Sequence, residues 1–472
     1  MSNPGDADAT PITSIKQLAD HIAAGCKPTD QFRIGTEHEK FGFRLADLVT
    51  PPYEPADGQP GSIRDLLAGL ERFGGTPIVD RGNTIGLKQG DAAISLEPAG
   101  QLELSGAPLV TLHDTKAELE THYDQVRSVA RDLQIGFSAL GFHPIATREQ
   151  MPWMPKGRYA IMRRYMPLVG SRGLDMMTRT CTVQVNLDYA SEADMLRKLR
   201  VSLLLQPVAT ALLANSPFTE GRPNGFLSYR AYCWTDTDND RSGIPKVMFE
   251  PGFGFERYAE WMVDEVPMYF VYRDGNYIDV AGSSFRDFMA GRLHNVAGAV
   301  ATVGDFADHL TTVFTYVRIK RFLEMRGADA GTADMMVAQS AFWVGLLYDD
   351  AALTAAESLL RGATWNDAIA LRAAVPREGL AAAWRSGSLR DLARDAVAIA
   401  RDVLRARACR NAAGEDEAVV DPSDGIELVR PIRRVVRPAK PRGFVRLPFG
   451  GHRETERGGC LFDRCGHNPI VR

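Results

Sequence analysis

Residues 94–106 read ISLEPAGQLELSG, and the fold turns on whether their polar face looks to water or to a site. The run alternates like a strand, with Glu97, Gln101 and Glu103 on one side and Ala99 between them. An ordinary half-buried strand turns such a face to solvent. Here the pattern recurs. RIGTEHEKFGF (33–43) sets Glu37 and Glu39 two apart, so an extended chain puts both carboxylates on one side. TCTVQVNLDY (180–189) points Cys181, Val183, Val185, Leu187 and Tyr189 one way and Thr182, Gln184, Asn186 and Asp188 the other. RFLEMRGAD (321–329) sets Phe322, Glu324 and Arg326 against Leu323 and Met325. Four such segments predict one sheet with a polar, acid-rich inner face.

The chain has 472 residues, 45% hydrophobic and 24% charged, the balance of a soluble globular protein with a large core. A net charge of −4 and a pI near 6.2 leave no basic stripe for a phosphate backbone, so nucleic acid is not an expected partner. A bilayer span needs roughly 20 apolar residues. The longest apolar runs, VSLLLQPVATALLA and SAFWVGLLY, are shorter and read as core, so no membrane is expected either. MSNPGDADATPITSIKQLADHI (1–22) carries three Asp and resembles neither a secretory leader nor an acid-poor transit peptide, which predicts a cytoplasmic protein. Six irregularly spaced cysteines do not make a disulfide framework. Cys181 falls on an apolar strand face, where a buried, inert thiol is expected.

Outward from the acidic strands, a short helix is expected around 13–24 and another near 62–73, after the Pro/Gly loop TPPYEPADGQPGS. Residues 76–106 read as a strand meander with Gly turns. TLHDTKAELETHYDQVRSVARDLQ places Leu112, Leu119, Val126 and Leu133 on one helical stripe. Ser191 should cap a helix that kinks near Pro207 and ends before Pro217. This is a mixed α+β layout rather than a doubly wound parallel sheet.

Carboxylates crowded on one face repel each other unless a cation neutralises them. Oxygen ligands without Cys or a His cluster favour Mg2+ or Mn2+, and Mg2+ commonly bridges substrate phosphates. Acidic strands with Arg nearby therefore point to a metal-nucleotide site. The usual phosphate loops are missing: there is no GxxxxGK[ST], and EPGFGFER offers only an isolated GxG. FLSYRAYCWTDTDNDR adds Arg230, Trp234 and Arg241. It reads either as a solvated turn around one buried Trp or as guanidinium groups holding a carboxylate or a transferring phosphate.

The strings RIGTEHEKFGF, SLEPAGQLELSGAP, MPKGRYAIMRRYMP, GLDMMTRTCTVQVNLDY, LQPVATALLANSPFTEGRPNGFLSYRAYCWTDTDNDR, VPMYFVYRDGNYIDVAGSSFRDFMAG and EMRGAD closely resemble the plant-type and proteobacterial glutamate-cysteine ligase family, in order from about 30 to about 405. The resemblance implies a glutamine-synthetase-like cup, an antiparallel sheet whose inner face binds Mg-ATP. It implies L-glutamate and L-cysteine as substrates, joined through an acyl phosphate in the first step of glutathione synthesis. By motif, Glu37, Glu39, Glu97, Glu103 and Glu324 resemble the metal carboxylates, with Gln184 a neutral ligand or a group behind them. Arg230 resembles the arginine that meets the substrate carboxylate or phosphate, and Arg326 would face the phosphates, with Arg241 as a further candidate. Asn186, Trp234, Tyr269 and Tyr272 would line the amino-acid pockets, although a core role is open for each aromatic. A ligase with another amine acceptor, or a silent nucleotide-binding homologue, would keep the same cup.

On this reading residues 1–29 are an N-terminal segment, 30–419 the catalytic domain and 420–472 a Pro/Gly/Arg-rich tail. The tail reads as a disordered extension or a shifted reading frame; a zinc site from His452, Cys460, Cys465 and His467 is a weak pattern. One departure falls inside the motif: the family's Gly-Gly after Glu-Pro is Ala99-Gly100 here. The methyl is harmless in an extended backbone and costly if a positive φ is needed.

Overall fold

A computed structural model of the chain describes residues 8–55, 61–407, 409 and 414. The tail from 420 and its four His and Cys residues lie outside the described residues. Nine strands form the main sheet: β1 (Ile34–Arg44), β2 (Thr76–Asp80), β3 (Asn83–Gln89), β4 (Ala92–Leu96), β5 (Leu102–Ser105), β6 (Ile135–Ser138), β7 (Thr182–Leu187), β8 (Val317–Ile319) and β9 (Leu323–Asp329). Their spatial order is β8-β9-β7-β1-β5-β4-β3-β2, with β6 on the far end of β1. Every pairing is antiparallel. The acid-bearing segments 33–43, 180–189 and 321–329 are thus adjacent strands in the centre of the sheet.

The period of two explains the layering. Val183, Val185 and Leu187 of β7 and Leu323 and Met325 of β9 are buried together with helices α1 (Leu112–Asp132), α3 (Glu192–Leu212) and α5 (Ala333–Leu347) in the main core. Cys181 is buried as expected. Leu18 and Ile22, from the helix Ile15–Ala23, join the same core.

Local chemistry sets the helix boundaries. Thr111 and Asp114 close a capping box on α1, and Ser191 accepts a hydrogen bond from the Asp194 N–H at the start of α3; each such cap is worth roughly 1 kcal/mol. Helix α3 passes through Pro207 and ends at Leu212, ahead of Pro217. Two shorter helices matter for the site: α2 (Gly157–Val169) and α4 (Tyr229–Cys233).

The opening stretch departs from its reading as one strand. Residues 97–101 are the loop between β4 and β5, closed by the Glu97 N–H to the Gln101 carbonyl and the Gly100 N–H to the Glu97 carbonyl, both at 2.9 Å. Pro98 and Gly100 break the pleat; Gly100 has φ +83°, and a Cβ there would meet Met154 Cε at 3.2 Å. Ala99 keeps an ordinary negative φ and packs its methyl against Ala146 and Met151.

Candidate active site

Register brings the carboxylates together. Glu39 on β1 is the direct partner of Glu103 on β5, and Glu37 lies opposite Gln184 on β7 and Ser105 on β5. Glu37, Glu39, Glu97, Glu103 and Gln184 line one cleft with Lys156, Arg158, Phe314, Arg318 and Arg326.

Each of four carboxylates is held by one donor. Asn186 Nδ2 donates to Glu37 Oε1 at 2.9 Å, the Thr182 N–H to Glu39 Oε2 at 3.0 Å, and Ser95 Oγ to Glu103 Oε2 at 2.6 Å. Tyr159 Oη, from α2, reaches Glu97 Oε1 at 3.3 Å and the Leu96 carbonyl at 3.0 Å. The second oxygen of each carboxylate has no hydrogen-bond donor among the described residues. Gly35 makes the first contact possible, because a Cβ there would sit 3.3 Å from Asn186 Nδ2. Burial together with Glu97 and Glu103 holds Glu39 well above the usual carboxylate range. Burial together with Glu97 and Glu37 pushes Glu103 up to about 7. Glu39 and Glu103 are thus oriented against their electrostatic preference, whereas, against the effect of burial, Lys320 helps to hold Glu37 below the usual carboxylate range.

Glu324 differs from these four. Arg318, on the partner strand β8, grips it bidentately at 2.8 and 2.7 Å. Lys320 Nζ stands 3.0 Å from the same carboxylate, and Arg326 donates to it and to Gln184. Burial opposes ionisation, but these three cations hold Glu324 well below the usual range. Both its oxygens and that of Gln184 are therefore occupied by cationic donors, and Glu324 fixes the arginines that face the acid end of the cleft.

A smaller space beside the cleft shares Phe314 and Arg326 with it and is bordered by Arg230 and Trp234. Arg230, on α4, is buried and donates through Nη2 to the Arg326 carbonyl at 2.8 Å. Arg230 Nε and Trp234 Nε1 are buried with no acceptor among the described residues, so two donors border this space unsatisfied.

Arg241 and Tyr269 lie elsewhere. Arg241 is fully buried in an ion pair with Asp238 at 2.6 Å, hydrogen-bonded to Thr312 Oγ1 at 3.1 Å and to the Pro267 carbonyl, and its guanidinium lies 3.8 Å from the Tyr269 ring centroid. Tyr269 donates to the same Asp238 at 2.8 Å. Both side chains are engaged with Asp238 Oδ2 inside this cluster, and neither is among the cleft-lining residues. Tyr272 packs its ring 4.9 Å from that of Tyr277 and is not among the cleft-lining residues.

Sequence reasoning assigned no role to Lys156, Arg158 or Arg318. The first two stand in the quoted string MPKGRYAIMRRYMP, where α2 begins, and burial pushes Lys156 down to about 8. Arg318 pairs with Glu324 across a tight hairpin, a spacing visible in VRIKRFLE.

The fold and site together define a glutamine-synthetase-like cup with an acid-lined floor and a wall of fixed cations. Residues 33–437 match the glutamate-cysteine ligase family 2 (GCS2). Curated relatives agree. Glutamate-cysteine ligase B, chloroplastic, of Oryza sativa subsp. japonica is 52% identical over 398 residues, covering 84% of this chain and 78% of that protein. Glutamate-cysteine ligase, chloroplastic, of Arabidopsis thaliana is 52% identical over 405 residues, 86% and 76% of the two chains. The chain belongs to the glutamate-cysteine ligase family 2. Among solved structures, the glutamate-cysteine ligase of Francisella tularensis in complex with AMP superposes with a TM-score of 0.50 at 10% identity, covering 86% of this chain and 85% of that one, a likeness of fold alone.

These relatives also correct one expectation. They carry "chloroplastic" in their names, which overturns the cytoplasmic reading. That reading rested on the composition of 22 residues, and compartment is set by receptor-read addresses rather than by the physics of the fold. No helix among the described residues is long and apolar enough to cross a membrane.

Proposed function

We propose that this cleft joins the γ-carboxylate of L-glutamate to the amine of L-cysteine at the expense of ATP, the first step of glutathione synthesis. The observation that carries the reading is the set of four oriented carboxylates with one oxygen each undonated, facing arginines whose own positions are fixed. In the first step a γ-carboxylate oxygen of glutamate forms a bond to the γ-phosphorus of ATP as the bond to ADP breaks. In the second, the cysteine amine attacks the acyl carbon, a proton is lost from nitrogen, and phosphate departs.

The chain's residues position and compensate charge rather than form covalent bonds. Arg318 and Arg326, held by Glu324, present positive charge toward phosphate. Arg230 and Trp234 offer their unsatisfied N–H donors to a substrate carboxylate in the adjoining space. Asn186 acts through Glu37 rather than on substrate.

The donor set fits Mg2+, or Mn2+. Glu37, Glu39, Glu97 and Glu103 are oxygen-only groups, each with an oxygen that no described residue donates to, and a cation at Glu39 and Glu103 would relieve the repulsion there. Among the described residues no three His, Cys, Asp or Glu side chains converge into a preformed cage. That suits an ion that keeps waters and takes one or two carboxylates plus substrate phosphates. When bound, the metal would neutralise phosphate charge and leave the acid face compensated.

The test is phosphate release by the purified full chain with Mg-ATP and glutamate, with and without cysteine, and the product's mass. Cysteine-dependent release with the mass of γ-glutamylcysteine is the expected result. Release that ignores cysteine, or a product built on another amine, would overturn it.

A further inference from the structure

Behind the acid-bearing strand lies a cavity of about 330 Å³ to which the ligation chemistry gives no role. It opens on the reverse face of β1, where Lys40 follows Glu39 in sequence and therefore points away from the cup. A volume of this size falls within the range of small-molecule sites, roughly 300–1,000 Å³.

Lys40 is only 1% exposed. Its Nζ donates one hydrogen bond, to the Leu102 carbonyl at 3.3 Å, and stands 5.7 Å from the Tyr123 ring centroid. It makes no ion pair among the described residues, so an ammonium with three protons has one acceptor. A buried, poorly solvated cation lining a cavity favours an anion there. The N-terminal end of α5 points the same way: its cap Thr332 and first residue Ala333 line this cavity too, and that end of a helix carries positive partial charge. Tyr123, Phe137 and Ala139 supply apolar walls, and Glu120 and Asp124 stand exposed on α1 at the rim. Asp124 is paired with Arg127 at 2.6 Å, whereas Glu120 is only 4.0 Å from its nearest cation, Lys116.

We infer that this cavity binds a small free amino acid with an apolar side chain, its carboxylate on Lys40 and the N-terminus of α5, its body against Tyr123 and Phe137, and its ammonium toward Glu120. The site is separate from the cup, with β1 between them. Because Lys40 lies on the strand that carries Glu37 and Glu39, neutralising it changes the field on the acid face, and by linkage the two sites influence each other's occupancy.

The experiment is saturation-transfer NMR on the full chain with L-leucine as probe, with Mg-ADP and glutamate present to fill the cup. Leucine should bind at millimolar concentration or below under these conditions, while leucinamide, which lacks the carboxylate, and 4-methylpentanoate, which lacks the ammonium, bind at least tenfold more weakly. Lys40→Met should weaken leucine at least tenfold. Ala139→Leu, which fills part of the cavity while leaving the Lys40 side chain in place, should do the same. Glu103→Gln, in the cup, lines no part of the cavity and should change leucine binding far less than either of these two variants. The inference fails if leucine gives no transfer, if leucinamide equals it, if Mg-ADP and glutamate displace it, or if Ala139→Leu binds it as the parent does.

Discussion

Glu39 and Glu103 are direct partners across β1 and β5, both buried, with no cation paired to either among the described residues. Two such carboxylates at adjacent register positions are unfavourable for the isolated fold and useful only to something positive that binds between them. Replacing Glu103 with Gln therefore should not unfold the protein. It removes one member of a repelling pair and keeps the Ser95 contact as a neutral hydrogen bond. The expected result is a Tm in metal-free buffer equal to or above the parent's, with kcat/KM down by about 100-fold or more, the scale of losing one preorganised charge-stabilising group. Parallel kinetics and thermal melts check it; a collapse in Tm would assign Glu103 to folding instead.

Glu324 should behave in the opposite way. Its carboxylate is fully buried and gathers Arg318, Lys320 and Arg326. Glu324→Gln leaves buried cations uncompensated, a change that costs about 3–5 kcal/mol when one partner of a buried pair is removed. The loss should appear as a lower Tm with no divalent ion present. A variant of parental stability without metal, inactive only when Mg-ATP is supplied, would return Glu324 to the role of metal ligand.

The loop 97–101 gives a paired test of the departure at residue 99. Ala99 has a negative φ and a packed methyl, so Ala99→Gly should cost about 0.5–1 kcal/mol through unfolded-state entropy and leave turnover intact. Gly100→Ala places a side chain at φ +83° and against Met154, and should cost more, about 1–2 kcal/mol. Chemical denaturation of the two variants separates them. Equal losses would mean that the loop relaxes and the conformational argument is wrong.

What the sequence disclosed was the part governed by a period of two. Glu37, Glu39 and Glu103 could be placed on one face because strands alternate without exception across β1 and β5. The same rule misled at Gln101, where alternation ran on through a turn that Pro98 and Gly100 had already announced; its side chain is spent on the Ala99 N–H and the carbonyls of Met177 and Thr180. Arg241 was chosen for its charge, yet TDTDNDR places Asp238 three residues earlier, a spacing that already offered it an internal partner. Lys156 and Arg158 escaped because they enter the cleft from the start of α2, far along the chain, and only tertiary packing shows which end of a helix meets a sheet.

The raised carboxyls predict a pH dependence whose sign is fixed. Glu103 moves from its ordinary 4.5 to about 7 on folding, and Glu39 moves in the same direction. A carboxyl whose folded value exceeds its unfolded one contributes its full stability below the unfolded value and loses it as pH climbs through the folded value. Metal-free protein should thus forfeit stability from Glu103 between about pH 4.5 and about 7, and from Glu39 in the same direction, as protons leave the pair. Mg2+ binds the ionised form, so the rise in Tm on adding Mg2+ should be small at pH 5.5 and grow by pH 8, and binding near pH 7 should release protons into a weakly buffered solution. Glu103→Gln should weaken both effects, since one of the two titrating carboxyls is gone and the other loses a repelling neighbour. Differential scanning calorimetry with and without Mg2+ across that window measures the first effect and titration calorimetry in buffers of different ionisation enthalpy the second. An Mg2+ stabilisation identical at pH 5.5 and 8 would mean that the metal does not sit on Glu39 and Glu103.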